Sequence, residues 1–278
     1  MLRPATARLA SLFHEDASLA EGVSWLIEQH LRDFEDRPGA ALLKSAALAV
    51  LGDGLLPDGA QVQSVDSEGL WVASGSHRYP LSEMSDGYRT VAALVVDILK
   101  QMYDAYGVLG VHITSGRPTV NYPGVVIIDE IDAHLHVSWQ KRIGGWLTEH
   151  FPAIQFIVTT HSPYICQSAD PGGLISLPGV DEDRPPSVVS TDVYDRVVYG
   201  SGDDAILSEL FGMETLYSDR AEQDRSELVA LELRVLRGEA DPLERERYEV
   251  LSRRLISSPV ARTDEIAARL LGQSRAHQ

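Results

Sequence analysis

Apolar positions along this chain follow two rhythms. Residues 125–128 (Val-Val-Ile-Ile) and 156–158 (Phe-Ile-Val) are short unbroken runs, the pattern of strands buried on both faces of a parallel sheet. Between them Trp139, Ile143, Trp146 and Leu147 recur at i, i+4, i+7 and i+8, one face of a helix. Strand, helix, strand over this length predicts a right-handed βαβ unit with parallel strands. Residues 90–103 are apolar on most faces and predict a largely buried helix, with Ser85 or Asp86 as its N-cap. Residues 19–36 and 39–51 read as helices separated by Arg37-Pro38. Residues 61–66, 70–74 and 77–79 read as short strands of an antiparallel arm, with a turn at 66–69. Residues 107–121 form a connection rich in breakers. Two more short strands are expected at 172–177 and 187–190, and a short helix at 203–211. From residue 219 the chain is charged and helical in period. Leu228, Leu231, Leu233 and Leu236 mark one helix, Tyr248, Leu251 and Leu255 another, and Asp241-Pro242 is the restart between them. The expected fold class is α/β, a mostly parallel sheet flanked by helices with a helical carboxyl-terminal tail. The expected division is a helical region 1–58, a core 59–215 and the tail 216–278.

The chemistry sits where these elements end. Asp129 and Glu130 follow the first apolar strand directly, and His161 follows the second. Parallel neighbours open on the same sheet edge, where open α/β sheets bind ligands, so Asp129, Glu130 and His161 should converge. Two adjacent carboxylates at a strand tip are costly unless a cation faces them. Magnesium carrying a nucleotide phosphate is the usual occupant. The start of the 90–103 helix offers a hydroxyl and bare N–H groups, an anion site. Gly87 there lets another backbone approach.

Taken together, the motifs carry a resemblance. Ser85-Asp86-Gly87-Tyr88-Arg89 resembles the signature motif of ABC-class ATPases, residues 125–130 their Walker B strand, residues 131–136 the D-loop, and residues 159–163 (Thr-Thr-His-Ser-Pro) the switch-histidine segment. The wording is most similar to bacterial RecF/SMC/OLD-like "AAA-type" ATPases found in phage-defence systems, over residues 60–210. The resemblance implies a P-loop NTPase-like fold that uses ATP and magnesium. It implies that Asp129 holds Mg²⁺ through water, that Glu130 polarises the attacking water, and that His161 contacts the γ-phosphate. Ser85 and Gly87 would grip the γ-phosphate of a nucleotide held on the opposite protomer, Arg89 would reach ribose or phosphate, and Asp132 would lie at the dimer seam. The partners implied are a second copy or a P-loop-bearing chain, with an effector such as a nuclease or toxin switched by hydrolysis.

The Walker A loop, G-x-x-x-x-G-K-[ST], is the part not found. Gly39-Ala-Ala-Leu-Leu-Lys44-Ser45 ends correctly, but it is one residue short, has Leu43 at the second glycine and reads as mid-helix. Gly200-Ser-Gly202 has no lysine after it. The chain therefore resembles the carboxyl-terminal portion of such an ATPase. Three explanations stay open: a loop encoded upstream, a second polypeptide that supplies it, or a chain that no longer hydrolyses ATP. Each predicts weak ATP binding by the chain alone. Two rival classes also stay open. One is a nucleotide-sensing regulatory subunit. The other is a metal-dependent hydrolase or nuclease built on His134, His136 and His161.

Composition narrows the setting. At 44% hydrophobic, 278 residues are ample for a core. The single cysteine, Cys166, precludes an internal disulfide and fits a reducing compartment; it is expected to pack beneath the switch segment. No apolar run reaches the ~18–20 residues of a membrane span, and residues 1–13 lack a signal core, so a cytoplasmic protein without membrane contact is expected. A net charge of −17 argues against an autonomous DNA-binding surface, leaving nucleic acid to an indirect route.

Overall fold

The computed structural model describes residues 15–133, 135–179, 181–213 and 215–255. The chain divides into two compact units, Met1–Gly212 and Met213–Gln278. His134 and residues 256–278 lie outside the described residues, and with them part of the proposed histidine cluster and of the tail.

In the first unit, helix α1 (Glu15–Phe34) and helix α2 (Ala40–Gly52) pack with the 21-residue helix α3 (Asp86–Tyr106). Gly22 sets the close approach of α1 to α3, because a Cβ there would meet the Ala93 carbonyl at 3.3 Å. Between α2 and α3 run strands β1 (Gln61–Asp66), β2 (Gly69–Ser74) and β3 (His77–Pro80), antiparallel in that order, with a turn at 66–69 as expected. Alternation places Leu70 and Val72, and a register shift between Val62 and Ser64 places both Val62 and Val65, in one core with Leu26, Val50, Leu51, Val95 and Leu99. The amino-terminal helices thus share the core of the elements that follow them.

After α3 the stretch expected as a mixed connection with breakers contains a hairpin, β4 (His112–Thr114) and β5 (Arg117–Thr119). Ser115 and Gly116 both have positive φ, 52° and 83°, the backbone of a tight two-residue turn.

Strand β6 (Gly124–Ile128) then pairs in parallel with β7 (Ile154–Val158), Ile128 opposite Val158. The crossover between them is the expected helix, broken in two at residues 141–142: α4 (Val137–Gln140) and α5 (Ile143–His150). Trp139, Ile143, Trp146 and Leu147 are all buried, as their spacing requires. The burial expected of β6 is corrected by the structure. Val126, Ile128, Phe156 and Val158 pack against the core, but Val125 (59%), Ile127 (70%) and Ile157 (47%) are exposed. The physical reason is coverage: among the described residues this parallel pair stands alone and has its helices on one face only.

A short helix α6 (Pro163–Cys166), strands β8 (Ile175–Ser176) and β9 (Ser187–Val188), and helices α7 (Thr191–Val198) and α8 (Gly202–Ile206) complete the first unit. They enclose a small second core of Cys166, Leu174, Tyr194, Val197 and Ala205. The expected helix at 203–211 is shorter, ending at Ile206.

The second unit contains helices α9 (Asp219–Arg237) and α10 (Pro242–Arg254), packed on each other. The restart is a capping box: Asp241 accepts from the Glu244 N–H, and Glu244 accepts from the Asp241 N–H. Arg247 forks onto Glu227 at 2.9 and 2.6 Å. Leu231 and Leu251 are buried, whereas Leu233 and Leu236 are exposed.

Candidate functional site

The parallel register brings the ends of β6 and β7 to one edge, and two threonines tie those ends together. Thr159, one residue past β7, donates its hydroxyl to the Asp129 carboxylate and accepts the backbone N–H of Glu130 at 2.8 Å. Thr160 donates to Oδ1 of Asp132, and the same oxygen accepts the His161 N–H at 3.2 Å. Backbone bonds continue the ladder: the Ile131 N–H reaches the Thr159 carbonyl at 3.1 Å, and the Thr159 N–H the Ile128 carbonyl at 3.0 Å. The acid pair and the histidine segment, more than thirty positions apart, therefore adjoin. Asp129, Glu130 and His161 are all exposed.

Glu130 sits at φ 48°, a left-handed backbone that non-glycine residues seldom adopt. The bond from its N–H to Thr159 helps hold it there. Such strain is held in place by surrounding structure and gathers at functional sites.

Asp132 is half-buried and spends one carboxylate oxygen inside the chain, on Thr160 and His161. Beyond it Leu135 closes a turn back to the Asp132 carbonyl at 3.0 Å. Gln140 then bridges two segments: its amide nitrogen donates to the Leu135 carbonyl at 3.0 Å, and its amide oxygen accepts from Ser162 Oγ at 2.7 Å. His136 caps α4, its Nδ1 accepting from the Ser138 N–H at 3.3 Å.

Ser85 is the N-cap of α3 and extended (φ −61°, ψ 153°), and its side chain makes no capping bond. Gly87 is buried in the first turn. Arg89 pairs with Asp86 one turn back along the helix. Ser85, Asp86, Gly87 and Tyr88 line an open cavity of about 520 Å³ together with Leu135, His136 and Trp139. The indole N–H of Trp139 is buried without an acceptor.

These features suit a phosphate-bearing ligand. The cavity presents a free hydroxyl and the start of a long helix, both of which seek acceptor oxygens; the Asp86 carboxylate opposes this and is offset by Arg89. At the strand tips the donors are carboxylate and hydroxyl oxygens, the set preferred by a hard cation such as Mg²⁺. Among the described residues no three His, Cys, Asp or Glu side chains group to hold a metal ion by themselves.

Lys44 is not part of a phosphate loop. It lies inside α2, after Gly39 at φ 84°, and pairs with Asp33 of α1. Cys166 lies in α6, next to the switch segment, and burial, helped by the nearby Asp132 carboxylate, pushes its thiol up to about 11.

Sequence reasoning placed Thr159, Thr160 and Ser162 in the switch-histidine segment without giving them a role of their own, and it gave none to Gln140 or His150. His150 is fully buried, its Nε2 bonded to Asp53 at 3.0 Å, its Nδ1 to the Trp146 carbonyl at 2.8 Å, and its ring stacked on Trp146 at 4.0 Å. Its signal was present, since it continues the 139/143/146/147 helical stripe.

Known proteins are similar to this chain in sequence. A family model described as "AAA domain, putative AbiEii toxin, Type IV TA system" matches residues 26–167. Septu protein PtuA of Bacillus mycoides (strain KBAB4) is 31% identical over 157 residues, 56% of this chain and 19% of that protein. Septu protein PtuA of Bacillus thuringiensis is 27% identical over 201 residues, 69% of this chain and 48% of that protein. The Retron Ec83 probable ATPase of Escherichia coli is 41% identical over 92 residues, 32% of this chain and 15% of that protein. The matched part spans less than half the length of each of these relatives.

Proposed function

The chain belongs to the family described as "AAA domain, putative AbiEii toxin, Type IV TA system", and on that premise we propose that it is the signature-to-switch portion of a magnesium-dependent ATPase of phage defence. Its fold is α/β and P-loop NTPase-like, with a helical carboxyl-terminal region. The observation that carries the proposal is the stitching of Asp129-Glu130 to residues 159–161 at one sheet edge.

In this reading Asp129 helps hold Mg²⁺, which neutralises charge on the phosphates when bound. Glu130 orients and polarises the attacking water, and His161 meets the terminal phosphate. Ser85 and Gly87 receive the terminal phosphate of a nucleotide held on a second head, Arg89 supports them, and Asp132 keeps the switch segment in place at the seam. The phosphate loop comes from a P-loop-bearing polypeptide or from upstream sequence. Two heads closing over ATP, and parting after hydrolysis, would switch an effector such as a nuclease or toxin. No described helix is long and apolar enough to cross a membrane.

A second reading, a nucleotide-sensing subunit without turnover of its own, is favoured by one observation: the lysine that most resembles a phosphate-loop lysine, Lys44, is committed to Asp33.

Replacement of Glu130 by Gln separates the two. The ATPase reading expects turnover to vanish and an ATP-dependent closed dimer to accumulate, seen by light scattering in the assembly that carries the phosphate loop. Unchanged defence output together with no trapped dimer would favour the sensor instead.

A further inference from the structure

Gln140 holds together two walls of the site that the motifs describe separately. Its amide nitrogen bonds the carbonyl of Leu135 at 3.0 Å. Leu135 and His136 line the cavity at the start of α3, facing Ser85 and Gly87. Its amide oxygen accepts the hydroxyl of Ser162 at 2.7 Å. Ser162 is only 4% exposed and its N–H bonds Thr160 Oγ1 at 3.0 Å. His161 is therefore flanked by two clamps, Asp132 on its own N–H and Gln140 on the next side chain. The bonds close a loop: Asp132 to the 160–162 segment, Ser162 to Gln140, Gln140 to Leu135, and the Leu135 N–H back to the Asp132 carbonyl.

We propose that Gln140 is a positioning residue that couples the cavity wall at Leu135–His136 to the 160–162 segment, and so sets where His161 stands relative to Asp129 and Glu130. This rests on the ATPase reading for its consequence, but the coupling is a property of the chain itself. A glutamine suits the task because one amide both donates and accepts. A nucleotide phosphate entering beside Ser85 and Gly87 displaces the Leu135–His136 wall, and the rigid amide passes the displacement to the histidine. The segments it joins are short turns, which shift as units once such a bond is made or broken.

The test uses two variants, Gln140→Met, which keeps the volume and removes both bonds, and Ser162→Ala, which removes only one. In the full chain, amide hydrogen exchange over residues 159–162 should speed up by about tenfold or more in both. The His161 ring signals in NMR should shift, while those of His150 stay fixed. In the ATP-hydrolysing assembly, kcat should fall by about 10–100-fold, since small misplacements of a reacting group have that effect, with KM nearly constant. Adding Gln140→Met to His161→Ala should cost nothing further, the mark of two residues acting through one group. Unchanged exchange and ring signals would overturn the proposal, and so would a kcat loss that adds fully to that of His161→Ala. An assembly with no ATP turnover in the wild type would sink the ATPase reading, leaving the exchange measurement to decide the coupling.

Discussion

Thr159 bonds Asp129 through its hydroxyl and holds the Glu130 N–H with the same oxygen at 2.8 Å. One short polar side chain thus orients one acid and pins the backbone of the next. Thr159→Val keeps the shape and removes both bonds. The loss expected is about 1 kcal/mol, at the low end for such bonds because the site is exposed, read as a lower midpoint in denaturant. Thr159→Ser should restore most of it.

Glu130 at φ 48° should be strained by about 1 kcal/mol. Glu130→Gly relieves the strain while removing the carboxylate, so it should melt at or above the wild-type temperature and yet hydrolyse no ATP. Glu130→Gln keeps the strain and should melt like the wild type. Calorimetry of the two variants side by side checks the difference; a glycine variant melting clearly below the glutamine one, by the full entropic cost of glycine, would mean the left-handed backbone costs nothing here.

The buried His150 fastens α5 to the end of α2 through Asp53. His150→Ala removes a fully buried ring together with its two bonds, and should destabilise the chain by about 2–4 kcal/mol. Asp53→Ala should cost less, about 1 kcal/mol, because its partly exposed site admits water. Thermal unfolding of both variants gives the order.

Cys166, raised from 9.0 to about 11 by burial first and by Asp132 second, should resist alkylation at pH 8 until the chain unfolds. The sign for stability follows. A thiol held protonated in the fold contributes stability that is fully present below pH 9 and lost as pH climbs through about 11. Cys166→Ser, which lacks that titration, should flatten the stability profile between those values.

The chain's own lettering disclosed much of this. Hydrophobic rhythm located β6, β7 and the helical stripe between them, and Asp241-Pro242 located the restart of α10. Three things were hidden, each for a reason. An unbroken run such as Val125–Ile128 looks the same whether one face or both are covered, so the exposure of Val125 and Ile127 could be learned only from what lies beside them. The 112–119 hairpin hid among breakers, with Ser115-Gly116 as its only mark. Gln140 and Ser162 act through a contact between residues 22 positions apart, and pattern reading is silent on such pairs. For the site itself, the spelling placed the acids and the histidine at strand ends, but the threonines that join those ends carried no separate signal.

The bare side of β6 has a practical consequence. Val125, Ile127 and Ile157 form a greasy seam along an unshielded ribbon, and such seams glue proteins together as concentration rises. Purified without a companion, the polypeptide should clump in a manner indifferent to ATP and relieved by mild detergent. Association measured at a single high concentration would report this stickiness; only the fraction that appears with nucleotide in dilute solution belongs to the closing heads.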